Sequence, residues 1–156
     1  MIHLEPMTEA EFQAYLTPAI QEYAQEHVKS GNWQAEGAVE KSAAEYQELL
    51  PMGLATPDQH LFSLKDEHGS TVGMLWFAVT KRSDKRRAFI YDVHVYDQFQ
   101  RRGYATQAFQ ALEALAHNMG LAEIALHVFG HNTAARALYE KLGFVTQSVF
   151  MAKAID

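Results

Sequence analysis

Not one of the 156 residues is cysteine. That absence excludes a disulfide framework, a thiolate nucleophile and a zinc site built on cysteine. Long apolar runs are missing as well: the longest uninterrupted one is about the length of residues 73–79, far short of a membrane span. The opening Met1-Ile2-His3-Leu4-Glu5 lacks the basic and apolar regions of a signal peptide. The expectation is therefore a soluble, cytoplasmic protein. No repeat period and no linker-like stretch divides the chain, so residues 1–156 read as a single domain, long enough to bury roughly 70% of its unfolded surface. Bases are also short: thirteen Lys and Arg stand against nineteen Asp and Glu, a net charge of −6. A nucleic-acid binder is usually basic, so the total argues against that class.

What charge there is divides unevenly. Residues 1–78 hold twelve acids and three bases, whereas residues 79–156 hold seven acids and ten bases. The second half is the one suited to an anion. Five of its bases fall in Lys81-Arg82-Ser83-Asp84-Lys85-Arg86-Arg87, which reads as a solvated hairpin turn.

Local signals order the chain. Residues 2–6 alternate weakly, as a short first strand would. Thr8 and Glu11 match a capping box, followed by Phe12, Leu16, Ala19, Ile20, Tyr23 and His27 at helical spacing. Pro18 interrupts that stripe and predicts a kink, or a fresh start capped by Thr17. A second helix is expected over 35–50, a hairpin over 60–65 and 71–80, and a strand over 88–96. Gly103 opens a helix that Gly120 ends, residues 123–129 form a strand, a helix covers 133–142, and a last strand covers 144–154. Helices, a meander, then strand–helix–strand–helix–strand make an α/β protein with a mixed sheet containing one parallel crossover.

The stretch that carries chemistry is Gln100-Arg101-Arg102-Gly103-Tyr104-Ala105-Thr106, between a strand and a helix. Glycine and alanine let the backbone approach a bulky anion, the amides of the first helical turn point at it, and the helix dipole favours negative charge there. GxxxxGK[ST] and GxGxxG are both absent, which excludes a Walker loop and a dinucleotide fingerprint.

Gln100-x-x-Gly103-x-Ala105 resembles the (Gln/Arg)-x-x-Gly-x-(Gly/Ala) acetyl-CoA loop of the GNAT superfamily of N-acetyltransferases. Asp92-Val93-His94-Val95 before it is similar to the superfamily's strand, as is Ile124-Ala125-Leu126-His127-Val128 after its helix. The run from Asn132 through Ala135 and Tyr139 to Gly143-Phe144 resembles N-x-x-A-x-x-x-Y-x-x-x-G-F. Gly31-Asn32-Trp33 and Leu50-Pro51-Met52-Gly53-Leu54-Ala55-Thr56-Pro57 are similar to a group of uncharacterised bacterial acetyltransferases.

This resemblance implies a twisted, mostly antiparallel sheet with a central, splayed parallel strand pair and about four flanking helices. It implies acetyl-CoA as cosubstrate with no metal, the pantetheine arm pairing with Val93, His94 and Val95, and the pyrophosphate on the amides of Arg101 to Thr106. Arg101, Arg102 and Arg136 would stand near the CoA phosphates, and Asn132 would bond pantetheine or simply cap its helix. Tyr139 occupies the general-acid position, with the alternative of a core tyrosine, and the Val95 N–H would hold the oxyanion.

The base stays open. Where many relatives carry a glutamate this strand has Phe89 or Ile90, which leaves Asp92, His94 or a water relay; Asp92 could instead hold the sheet to the first helices. His127 and His131 are spaced like a metal pair but show no carboxylate partner. The acceptor would be an amine on a small molecule, a peptide N-terminus or a lysine, and the acidic first half hints that it is cationic. The rival reading is an acyl-CoA-binding regulatory module with little turnover. The resemblance also leaves open a homodimer through the last strand.

Overall fold

The computed structural model describes residues 1–155. Strand β1 (His3–Pro6) leads into helix α1 (Glu9–Lys29) and helix α2 (Ala38–Leu49). Strands β2 (Gln59–Lys65), β3 (Thr71–Arg82) and β4 (Lys85–Val95) then form an antiparallel meander. Helix α3 (Tyr104–Asn118), strand β5 (Glu123–Leu126) and helix α4 (Thr133–Lys141) follow, and short 3-10 turns cover Gly53–Ala55 and Asp97–Phe99. The sheet order is β1-β2-β3-β4-β5, antiparallel except for the parallel β4–β5 pair. The α/β class, the mixed sheet and the four helices are as expected.

Capping decides where α1 starts. The Glu11 amide donates to the Thr8 hydroxyl and the Thr8 amide to the Glu11 carboxylate, so two orphan donors are satisfied reciprocally. The helix does not restart at Thr17. It runs unbroken through Pro18, because Phe12, Ala19 and Ala24 keep one stripe buried against the sheet and α2. Two apolar clusters result. Phe12, Ala19, Tyr46, Met74 and Trp76 pack on the face covered by α1 and α2, while Phe77, Ala88, Ile90, Phe109 and Leu112 pack on the face covered by α3 and α4.

Three details differ from the sequence reading. The basic run 81–87 is mostly strand, since Thr80, Lys81 and Arg82 pair with Arg87, Arg86 and Lys85 and only Ser83 and Asp84 turn. Strand β5 stops at Leu126 instead of reaching residue 129. Residues 144–154 form no strand: among the described residues they take part in no strand pairing, and the Phe144 amide donates instead to the Tyr139 carbonyl at 2.9 Å.

Candidate active site

Strand β4 carries a bulge at the point that matters. Trp76 of β3 faces Asp92 and Phe77 faces Ile90, which leaves Tyr91 as the extra residue. Up to Ile90, β4 is paired on both sides, with β3 and with β5 (Arg87 opposite Glu123, Ile90 opposite Leu126). Beyond the bulge it is paired with β3 alone, and a gap opens on the β5 side.

The direction of the backbone groups in that gap follows from the ladder. The Tyr96 N–H donates to the Val72 carbonyl at 2.9 Å. Gly73 and Val95 are therefore the next, non-hydrogen-bonded pair, and the N–H and C=O of Val95 point away from β3. Val93, two residues back, points the same way. The Val95 carbonyl is taken by the Gln100 side chain, whose Nε2 donates at 2.9 Å. Gly73 makes the tight end of this pairing feasible. A Cβ there would lie 2.2 Å from the His94 carbonyl oxygen.

The loop after β4 comes next. Arg101 adopts φ of 64° and Gly103 φ of 79°, turning the chain into α3 with no side chain capping its first amides. A Cβ on Gly103 would meet no protein atom within 4 Å, so the backbone here borders open space. Arg101, Arg102 and Gly103 are exposed, and Tyr104, Ala105 and Thr106 are half-buried. The Arg102 guanidinium lies over the Phe99 ring at 5.8 Å. Uncapped amides at a helix start thus adjoin two exposed arginines, an arrangement of the kind that can hold an anion.

The side chains divide between the two faces. Tyr139 packs edge-on against Phe109 at 5.8 Å and against Phe144 at 5.8 Å, on the α3–α4 face. Burial raises its phenol above the usual tyrosine value, and the Asp92 charge raises it further. It therefore keeps its proton at neutral pH. Asp92 sits on the opposite face, where the Tyr15 hydroxyl of α1 donates to it at 2.6 Å. Burial pushes its carboxyl up, opposed by the Tyr15 bond and the nearby His94. His94 itself is exposed on the same side of the strand. Asn132 caps α4, its side chain accepting from Ala135 N–H at 3.4 Å. Arg136 is exposed one turn along that helix.

An aromatic wall runs from this gap across the α1–α2 face. Tyr91 tilts on Trp76 at 4.8 Å, and the Tyr23 hydroxyl donates to Glu45 at 3.1 Å. His27 stacks on Trp33 at 4.1 Å, and its Nε2 is buried without a hydrogen-bond partner among the described residues. Burial lowers the His27 pKa, so this ring is held neutral. His131 does have a carboxylate partner, contrary to the sequence reading. Its Nε2 lies 2.7 Å from Glu26 and its Nδ1 3.2 Å from the Ser30 hydroxyl, which ties the α4 entry to the end of α1. Among the described residues no group of three His, Asp or Glu could hold a metal ion. No helix is long and apolar enough to cross a membrane.

The sequence profile of the acetyltransferase (GNAT) family matches residues 17–144. The chain belongs to that family. Over 152 residues it is 44% identical to YycN of Bacillus subtilis, an uncharacterized N-acetyltransferase, with 97% of each chain covered. YdgE of the same organism, described in the same words, is 34% identical over 150 residues, with 96% of each covered. A crystal structure of YycN superposes with a TM-score of 0.94 at 43% identity, covering 99% of both chains. More distantly, AAC(6')-Iy in complex with the bisubstrate analogue CoA-S-monomethyl-acetylneamine shares the fold alone, at a TM-score of 0.58 and 17% identity over 99% of both chains. The GNAT family uses acetyl-CoA as cosubstrate, and the splayed strand, the Gly103 loop and Tyr139 fall within the matched range.

Proposed function

We propose that this GNAT chain is an acetyl-CoA-dependent N-acetyltransferase, working as one cytoplasmic domain, that passes the acetyl group directly to a primary amine in a ternary complex. The observation that carries the reading is the half-paired end of β4, whose outward backbone groups run straight into the uncapped start of α3. An extended, amide-bearing arm with a pyrophosphate at its end fits that track: strand-like pairing along Val93–Val95, then anion binding over Arg101 to Thr106.

Each residue then has a task. A lysine-like amine must lose a proton before it attacks, at a cost of about 4.6 kcal/mol at pH 7. Asp92, with its raised carboxyl pKa, accepts that proton through water, and exposed His94 passes it to solvent. The Val95 N–H, pointing into the gap, stabilises the oxyanion. Tyr139, kept protonated, supplies the proton to the departing thiolate, whose conjugate acid has a pKa of roughly 8.5 by analogy with cysteine. Asn132 and Arg136 stand on the α4 side of the cosubstrate.

The acceptor enters along the aromatic wall. Tyr23, Trp33 and Tyr91 offer ring faces, Glu45 and Glu22 offer negative charge, and the acidic first half of the chain favours a cationic amine over nucleic acid. A second reading draws on the Tyr15–Asp92 bond: a carboxylate already engaged by α1 suits a structural role, as in an acyl-CoA-binding regulatory module with little turnover. A panel of small amines, peptide N-termini and lysine peptides, read by release of free thiol from acetyl-CoA, separates the two. Acetylation of one class supports the enzyme. Tight CoA binding with thiol release only at the background rate supports the module and overturns the proposal.

A further inference from the structure

Strands β3 and β4 run on past their neighbours. The first pair of β2 with β3 is Gln59 with Ala78, and the first pair of β5 with β4 is Glu123 with Arg87. Beyond Thr80 and Arg87 the two strands leave the sheet as a ribbon closed by Ser83 and Asp84. Its register puts Lys81 opposite Arg86 and Arg82 opposite Lys85. All four are exposed, and like charges directly opposite one another weaken a strand pair. Among the described residues the run makes one ion pair, Arg87 with Glu123 at 3.5 Å, and the outer four bases make none. In a chain of net charge −6, this arrangement costs stability rather than supplying it.

The two faces of the ribbon lead to different places. Ala88 and Ile90 point to the α3–α4 core, so Arg87 and Phe89 point to the side of α1 and α2. Arg82 and Lys85 share that side, while Lys81 and Arg86 share the opposite one. The α1 side continues along β4. The Arg87 guanidinium lies over the Phe89 ring at 5.6 Å, Phe89 meets Tyr91 edge-on at 5.2 Å, and Tyr91 tilts on Trp76 at the edge of the gap. Arg82, Arg87 and Phe89 line a groove that reaches Lys29 and Asn32 at the end of α1. A basic end, two accessible rings and the acceptor wall thus form one track. At about 3.3 Å per residue, Arg87 and Lys85 stand roughly 13 and 20 Å from Tyr91.

We propose that this track holds a polypeptide acceptor whose amine sits at the gap and whose acidic segment, roughly four to six residues further on, docks on Arg82, Lys85 and Arg87. The inference rests on the acetyl-transfer reading for the amine end alone. Charge fixes the direction: the amine end meets Glu45 and Glu22, the acidic segment meets the ribbon, and a reversed peptide meets like charge at both ends. A polypeptide suits the track better than a nucleic acid, because a line of phosphates leaving the ribbon would run into the acidic first half of the chain.

The probes are a peptide with a free N-terminus, glutamates at positions five to eight and a fluorophore at its C-terminus, and the same peptide with glutamines. Fluorescence anisotropy on the native protein needs no turnover. The glutamate peptide should bind at least about 10-fold tighter, an advantage that added salt erodes. Arg82→Glu should cancel it, whereas Lys81→Glu, equal in charge but on the reverse face, should keep most of it. Each variant turns a like pair into an opposite one, so both should melt about 1–2 °C higher, with small-amine turnover unchanged. A residue that merely shaped the ribbon would not lose binding while gaining stability. In acetylation assays the glutamates should lower KM about 10-fold and leave kcat alone. The docking surface is overturned by equal binding of the two peptides, by equal losses in the two variants, by tighter binding of an oligothymidylate of the same charge, or by a bound glutamate peptide that stays unacetylated while small amines react. If no amine at all releases thiol, the acetyl-transfer reading falls, and anisotropy still decides the ribbon.

Discussion

The two halves of β4 differ in one respect that matters for function. From Arg87 to Ile90 the strand has neighbours on both sides; from Tyr91 to Val95 it has one. The same bulge that ends the second pairing also shifts the side-chain parity. Ala88 and Ile90 face the α3–α4 core, and after the extra Tyr91 it is Val93 and Val95 that do so. Asp92 is thereby turned toward Tyr15 and α1. One inserted residue thus frees backbone donors and places a carboxylate beside them. The lesson is that a binding strand can be made from an ordinary one by removing a neighbour, provided the lost pairing is taken up by a ligand.

If the open half is the cosubstrate track, its phosphate end should be the most sensitive point. If the loop holds the pyrophosphate, Gly103→Leu, at a position where a Cβ meets no protein atom, should crowd the ligand and lower acetyl-CoA affinity at least about 100-fold by calorimetry, while the backbone strain costs only about 1 kcal/mol of stability. Unchanged affinity would remove the loop from the site. Tyr139→Phe should lower kcat about 100-fold, roughly 2.7 kcal/mol of barrier, with little change in acetyl-CoA binding; full turnover would end its role as acid.

Asp92→Asn sharpens the comparison further, because it separates a base from a strut. The folded carboxyl pKa is raised, so activity that depends on ionised Asp92 should climb as pH rises through that value. The variant should lose about 10-fold in kcat/KM together with that rising limb. If the pH profile stays intact and only the melting temperature drops, Asp92 merely anchors α1.

The smallest effect belongs to a site remote from β4, as a control. Glu11 is held down to about 2, chiefly by the Thr8 amide, with Lys65 adding to it. Its folded pKa lies below the ordinary 4.5, so its stabilisation is complete above that pH and fades as pH falls toward 2. Glu11→Gln should cost about 1 kcal/mol in urea melts at pH 7, roughly half of that near pH 3 and nearly nothing below about pH 2, with kcat unaffected.

Features set by a few adjacent residues were legible in the sequence. The Thr8–Glu11 box, the Gly103 turn, the Asn132 cap and the order of strands and helices depend on local chemistry and on spacing. Pro18 misled because burial of the α1 stripe outweighed one missing amide. The Tyr91 bulge left no mark in the residue pattern, since a shift in parity reads like a less regular strand. Contacts between distant segments were out of reach: Tyr15 and Asp92 are 77 positions apart, and Glu26 and His131 are 105. Residues 144–154 hold strand-favouring Val145, Thr146, Val149 and Phe150, but whether a strand pairs depends on a neighbour that composition does not specify.

The two tryptophans give the molecule a built-in optical reporter. Trp76 is sealed in the core with its indole N–H donating to Gln59 at 2.7 Å, so its emission should stay blue and indifferent to ligands. Trp33 lies half-exposed against the His27 ring, on the path assigned to the acceptor. An amine that parts that stack should change the fluorescence of one indole and leave the other as an internal reference, so acceptors can be sorted by titration before any turnover is measured.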